Sequence, residues 1–170
     1  MDLAELDRNL WRTGLGIQGK ARYEGRLEVD GPHLNLRGHL AGTAGLFDGV
    51  AVPEYSGDLA WDQQGLTLAG LHVHTLDGDG DIDFAVPPAP APTRLSAVFR
   101  GVDAEGLTRA IFDLGEMGIA SSVTGSTTLT WPRGRTRALS GKIVCTLEEK
   151  SDGRAPVRGR LSWRATNGLQ

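Results

Sequence analysis

The residues best suited to chemistry in this sequence are acidic side chains near its middle. Aspartate occupies every second position from Asp77 to Asp83, a spacing that resembles the opening of a calcium-binding loop. An EF-hand loop also needs Gly at its sixth position and Glu at its twelfth, where this chain has Ile82 and Pro88. We therefore expect a turn at Asp77-Gly78-Asp79-Gly80 with exposed acids and no calcium site.

Two histidines stand two residues apart in the segment before these aspartates. His72 and His74 share one face of an extended chain and could supply two ligands to zinc. No third ligand lies nearby in the sequence. The pattern favours exposed strand histidines over a metal site.

The remaining candidates for catalysis have simpler interpretations. Cys145 is in phase with the apolar residues Ile143 and Leu147, which predicts a buried thiol rather than a nucleophile. The serines form no Gly-x-Ser-x-Gly elbow, and no phosphate-binding or dinucleotide-binding fingerprint occurs. We expect no enzyme, no catalytic residues, no cofactor and no bound metal.

Charge is distributed unevenly along the chain. Its 170 residues carry a net charge of only -3, which gives no reason to expect a nucleic-acid partner. Between Gly38 and Thr93 there are eight acids and no Lys or Arg, whereas Trp131 to Gln170 holds nine bases and three acids. One interpretation is a solvated outer face whose opposite charges attract one another. The other is a contact of the basic end with acidic headgroups or a partner.

The start of the chain and its single cysteine limit the protein class. No apolar stretch is long enough to span a membrane, and the acidic start is unlike a signal peptide. One cysteine excludes an internal disulfide. We expect a soluble segment.

Alternation of apolar and polar residues dominates the pattern and predicts strands. Short turns between them, such as Asp30-Gly31-Pro32 and Pro132-Arg133-Gly134, favour an antiparallel meander. Near Ala69-Gly70 the apolar phase slips by one residue, which predicts a bulge or a strand break. The nine predicted strands lie at 23–29, 34–40, 55–61, 66–68, 71–75, 82–86, 123–131, 139–147 and 157–163.

Glycine is abundant, with 24 residues, and part of the excess is periodic. Five glycines begin a Gly-x-Leu/Ile-x-apolar pattern within the strands, in phase with the apolar face. Glycines at such positions predict a curved sheet whose inner face has room for a guest or a close neighbour. They are Gly25, Gly57, Gly80, Gly141 and Gly159.

Two segments have helical periodicity and match each other about 101 residues apart. The first helix is predicted from Asp2 to about Thr13, and the second from Ala104 to Leu114 with Asp103 as its N-cap. Each leads through a Gly-Ile pair, 16–17 or 118–119, into alternating strands. This organisation predicts one repeat at residues 1–101 and part of a second at 102–170, within a longer repeat protein.

The repeat of helix, Gly-Ile pair and Gly-rich strands resembles the AsmA-like superfamily, and within it the TamB family of translocation and assembly module proteins. The amino-acid sequences of residues 38–45 (GHLAGTAG), 55–62 (YSGDLAWD) and 65–71 (GLTLAGL) resemble those of the middle repeats of that family. The resemblance implies a periplasmic protein of a diderm bacterium, anchored in the inner membrane. It implies a mainly β fold whose strands curl into a groove, or β-taco.

The same resemblance implies phospholipid transport between the inner and outer membranes, outer-membrane protein or autotransporter assembly, or both. The partners would be phospholipid acyl chains, neighbouring repeats of the same chain and an outer-membrane assembly-type β-barrel protein. The alternative is a structural or adhesive β-sandwich that binds a protein or glycan through its loops.

Two helices of this length cannot cover the apolar face of nine strands. The face is either an ordinary core, in a sheet closed as a sandwich or barrel, or the lining of a lipid channel. The inward positions that would contact lipid are Tyr23, Leu27, Val29, Leu59, Trp61, Ile82, Phe84, Leu129, Trp131, Ile143, Leu161 and Trp163.

Overall fold

The fold was obtained as a computed structural model that describes residues 2–8, 16–31, 33–47, 50–112, 118–135, 138–150 and 155–165. Two short helices and ten strands make up these segments. The helices are α1 (Leu3–Leu6) and α2 (Ala104–Phe112). The strands are β1 (Gln18–Asp30), β2 (His33–Phe47), β3 (Val50–Asp62), β4 (Gly65–Thr75), β5 (Gly78–Val86), β6 (Thr93–Asp103), β7 (Ile119–Trp131), β8 (Ser140–Glu149), β9 (Ala155–Pro156) and β10 (Gly159–Ala165).

Nine of the strands form one curved antiparallel sheet that does not close on itself. Each strand pairs with the next along the chain, from β1 to β8, and β10 pairs with β8. The two-residue strand β9 pairs in parallel with the start of β7. This single meander confirms the mainly β prediction and differs from the two packed sheets of a sandwich.

The strand prediction was correct in type but wrong at two places. The bulge that was predicted near Ala69-Gly70 as one of two alternatives is confirmed, but the segments around Leu68 and Leu71, which were counted as two strands, form one strand, β4. Strand β6 was not predicted, although Leu95 and Phe99 face inward on it. The apolar run Ala97-Val98-Phe99 occupies both faces of β6 and hides its alternation.

The predicted turn at Asp77-Gly78-Asp79-Gly80 is displaced by one or two residues. The turn between β4 and β5 consists of Leu76 and Asp77, both with positive φ, of 49° and 61°. Gly78 is already the first residue of β5. The aspartates that follow therefore project from a strand and do not form a loop.

The two helices begin alike, each with an aspartate at its N-cap. Asp2 caps α1 by accepting hydrogen bonds from the amides of Ala4 and Glu5, and Asp103 accepts one from the amide of Gly106 in α2. Asp2 forms a bridge with Lys20, and Asp103 pairs with Ser122, which lies 102 residues after Lys20. Residues 9–13 of the predicted first helix and residues 113–114 of the second lie outside the described residues.

The sheet buries its apolar face largely through its own curvature. Leu59, Leu66 and Val86 are at most 3% exposed, although α1 packs mainly on β1 and α2 on β6 and β7. The main hydrophobic cluster extends from Leu3 to Trp131. A smaller cluster around Val123 joins α2 to β7 and β8.

The inward glycines do not leave the empty space that the sequence suggested. A Cβ at Gly57 would lie 2.7 Å from the Cα of Leu71, and one at Gly80 would lie 3.0 Å from Cγ2 of Val73. At Gly25 and Gly141 the space for a Cβ is likewise occupied by atoms of the adjacent strand. Only Gly159 of the five has nothing within 4 Å. Most of these glycines therefore serve close approach of adjacent strands rather than a guest.

Candidate apolar groove

The most apolar candidate site among the described residues is a cavity of about 310 Å³ on the inner face of the sheet. Its walls come from the segment before β1 and from β2 to β6. Every lining residue that the structure describes is apolar except Thr75, and the hydroxyl of Thr75 donates a 2.6 Å hydrogen bond to the carbonyl oxygen of Ala51. The lining residues are Ile17, Phe47, Val50, Val52, Leu68, Leu71, Val73, Thr75, Ile82, Phe84 and Leu95.

The cavity lies towards the end of the sheet that carries α1. At this end β2 meets β3 through the pair Phe47 and Val50, and β4 ends at Thr75. The ring of Phe47 contacts that of Tyr55 edge to face, with centroids 5.7 Å apart. The hydroxyl of Tyr55 donates to the carbonyl oxygen of Lys20 at 3.1 Å. Burial raises the pKa of Tyr55, so this group stays a neutral donor that ties β3 to β1.

The residues predicted to face the groove divide into three groups by exposure. Of all twelve, only Ile82 and Phe84 line the cavity. Leu59, Phe84, Trp131 and Ile143 are buried, Tyr23, Trp61, Ile82, Leu129 and Trp163 are half-buried, and Leu27, Val29 and Leu161 are exposed.

Three of the nine cavity residues that were not predicted lie where β2 and β3 extend beyond their predicted ends. Phe47, Val50 and Val52 belong to these extensions. A signal was present, since Val50 and Val52 alternate with polar or exposed positions. The participation of Ile17 could not be seen in the sequence, because it depends on how the chain enters β1.

The exposed inward residues are concentrated on the two edge strands. Leu27 and Val29 on β1 are 58% and 69% exposed, and Leu161 on β10 is 49% exposed. On the central strands the corresponding positions are buried, as at Leu59 and Phe84. The apolar face is thus open to solvent along both edges of the unclosed sheet.

The outer face carries the histidines and the aspartates as cross-strand pairs. His74 Nδ1 lies 3.0 Å from Asp79 Oδ1, and His72 Nδ1 lies 3.0 Å from Asp81 Oδ1. Arg100 donates to Asp81 Oδ2 at 2.7 Å. The hydrogen bonds from Arg100 and then His72 lower the pKa of Asp81. Among the described residues, no three His, Cys, Asp or Glu side chains are placed to hold one metal ion.

The ion pairs of the described acidic segment are with residues outside the basic C-terminal segment. In the described part of the chain, the acidic segment forms its Arg ion pairs with Arg37 and Arg100, both outside the basic segment. Lys150 of the basic segment pairs with Asp103 instead. The two segments occupy different strands of the same outer face, which keeps their charges apart.

Cys145 lies in the smaller hydrophobic cluster, as predicted. It is 6% exposed, and burial raises the pKa of its thiol. A raised pKa lowers the thiolate fraction at neutral pH. This environment is that of an unreactive core residue.

None of the helices in the described segments is both long and apolar enough to cross a membrane. Comparison of the chain with protein-family models, with curated proteins and with solved structures finds no match. The apolar cavity and the open edges of the sheet are therefore the features on which a functional proposal rests.

Proposed function

We propose that this chain is a non-enzymatic segment of an AsmA-like, TamB-type envelope protein whose apolar groove takes phospholipid acyl chains. In this role it acts in the periplasm, as part of a protein anchored in the inner membrane, and carries lipid between the inner and outer membranes. The observation that supports the proposal most strongly is the cavity of about 310 Å³, in which Thr75, the only polar residue among the described lining residues, is already hydrogen-bonded.

The chemistry of the cavity favours an alkyl chain as its occupant. Water in a cavity needs two to four polar partners, which this lining does not offer. A volume of about 310 Å³ is at the lower end of the range for ligand pockets. It suits part of one acyl chain, with the headgroup outside.

The open edges suit a ligand with one apolar and one polar end. Leu27 and Leu161 lie on the exposed inner face of the two edge strands. Charged residues alternate with them on the outer face, Arg26 and Glu28 on β1 and Arg160 on β10. A lipid could enter from the side with its headgroup in water.

The test is native mass spectrometry of the protein after incubation with phospholipid vesicles. We expect bound phospholipid on the wild type and little on Val50→Trp. The larger indole of the variant would occupy the space of the cavity without burying a charge. Val98→Trp, on the outer face, is the matched control and should retain lipid. Equal lipid on Val50→Trp and the wild type, or none on a folded wild type, would contradict the proposal.

A second candidate function, assembly of outer-membrane proteins, is favoured by the free edge of β1. Among the described residues, this 13-residue strand pairs only with β2 and, at Lys20, with Asp2. An exposed edge can accept a strand from a neighbouring repeat or from an unfolded barrel protein. A photocrosslinker at Arg26 should capture an unfolded barrel protein, whereas the same group at Asp58 on central β3 should not. Equal capture at both sites would argue against strand addition.

A further inference from the structure

The strand register aligns one row of outward-facing residues across the middle of the sheet. Asp83 on β5 is level with Ser96 on β6, Thr128 on β7 and Lys142 on β8. From β3 to β10 the row reads Asp58, Ala69, Asp83, Ser96, Thr128, Lys142 and Arg164. The row is therefore acidic at one end, small and neutral in the middle, and basic at the other end.

Within the described part of the chain, the basic end of this row has no ion-pair partner. Lys142 and Arg164 are directly opposite each other, an unfavourable arrangement for like charges. No carboxylate of the described residues forms an ion pair with either of them. Asp83 lies three strand spacings from Lys142, about 14 Å, which exceeds the screening length of about 8 to 10 Å at moderate salt.

The middle of the outer face is suited to contact with another surface. Val98 on β6 is 43% exposed and is paired with Ser126 on β7. Val144 on β8 is the next residue in that row and is half-buried. Small and apolar side chains at this place would allow close approach between the charged ends.

We propose that this outer face binds a second copy of the chain, related by a twofold axis that runs parallel to the strands between β6 and β7. Such an axis places β5 of each copy over β8 of the other. Because the axis is parallel to the strands, residues of the two copies that face each other lie at the same height along the strands. Asp83 of each copy then faces Lys142 of the other, and Val98 faces Ser126. The contact is self-complementary and closes as a dimer.

The curvature of the sheet limits the strength of this dimer. The outer face is convex, so contact is confined to the central strands β5 to β8. Small interfaces of this kind are weak and transient. The dimer should therefore depend on concentration and on salt.

Sedimentation velocity of the purified protein tests the proposal. We expect dimers at about 50 mM salt and mainly monomers at about 500 mM salt, because exposed ion pairs are screened. Lys142→Glu and Asp83→Lys should each be monomeric at low salt, since each places like charges in both contacts. An equimolar mixture of the two variants should form dimers, because both contacts are again of opposite charge.

Controls separate this effect from a change in net charge or in folding. Arg22→Glu and Glu28→Lys on β1 make the same charge changes far from the axis and should leave the dimer intact. Asp83 also accepts a hydrogen bond from the amide of Gly70 at 2.9 Å. Asp83→Asn keeps an acceptor there and should weaken the dimer roughly tenfold.

A monomeric wild type at low salt, an unchanged dimer in Asp83→Asn, or a failure of folded partners to form mixed dimers would overturn the proposal. A wild type that stays monomeric but binds phosphatidylglycerol vesicles through Lys142 would also overturn it, in favour of a lipid surface.

Discussion

Gly57 on β3 lies against the backbone of Leu71 on β4, with no room for a side chain between them. A Cβ at Gly57 would be 2.7 Å from the Cα of Leu71 and 3.1 Å from its amide nitrogen. The contact arises where β4 carries its bulge and the register with β3 shifts, between Ser56 and Asp58. The bulge and the glycine opposite it thus form one unit.

Gly57→Ala should therefore destabilise the fold. Overpacking of a tight contact typically costs about 1 to 3 kcal/mol of the free energy of unfolding. Urea denaturation measures the loss. Gly159→Ala is the matched control, because nothing lies within 4 Å of its Cβ position, and it should change stability by less than about 0.5 kcal/mol. Equal effects at the two sites would contradict the packing described for Gly57.

The pair of Arg100 and Asp81 should make stability depend on pH under acidic conditions. The pKa of Asp81 is lower in the folded state than in the unfolded chain, so the unfolded state binds more protons as the pH falls. The contribution is present above the ordinary carboxyl pKa of about 3.9 and is lost as the pH falls through the lowered value. Thermal unfolding at several acidic pH values should show that the Tm of Arg100→Gln depends less steeply on pH than that of the wild type.

The titration of Asp81 provides the direct check on that pair. The midpoint of its titration, followed by the NMR chemical shift of the carboxyl carbon, should move to higher pH in Arg100→Gln. It should move by less in His72→Gln, because Arg100 makes the larger contribution to lowering the pKa. An unchanged midpoint in both variants would show that the ion pair does not form.

Cys145 should react only when the fold opens. It is 6% exposed and its pKa is raised by burial, both of which slow the attack of its thiolate on an aromatic disulfide reagent. We expect labelling in urea to be at least about a hundredfold faster than in native buffer, since native labelling must await transient opening. Similar rates in the two conditions would place the thiol at the surface.

Leu27 and Leu59 were both predicted to face the groove, and their different exposures give opposite expectations. Leu59→Ala should cost about 2 to 5 kcal/mol, because this side chain is 1% exposed. Leu27→Ala should change stability by less than about 0.5 kcal/mol, because the side chain is 58% exposed. Denaturation curves of the two variants decide the point, and a large loss at Leu27 would mean that the β1 edge is covered.

Alternation was sufficient to predict most strands because one face of the sheet is buried and the other is wet. The rule failed at β6, where Val98 is an exposed apolar residue on the outer face. The Asp-Gly pattern placed a turn at residues 77–80, whereas the turn residues with positive φ are Leu76 and Asp77. A sequence does not report which residues the neighbouring strands force into an unusual conformation.

The candidate site was less predictable than the fold. Its shape depends on the curvature of the sheet, which brings Ile17, just before β1, and Leu95 on β6 to the same cavity. The sequence indicated which face is apolar, since Ile82 and Phe84 line the cavity. It could not indicate where along that face the side chains leave a space.

Photocrosslinking with a phospholipid that carries a diazirine on its acyl chain tests the central claim most directly. Peptide mapping should place the label on cavity residues such as Phe47, Val73 and Phe84, and Val50→Trp should remove it. Label on the outer face near Val98, or no label on folded protein, would contradict an acyl-chain groove.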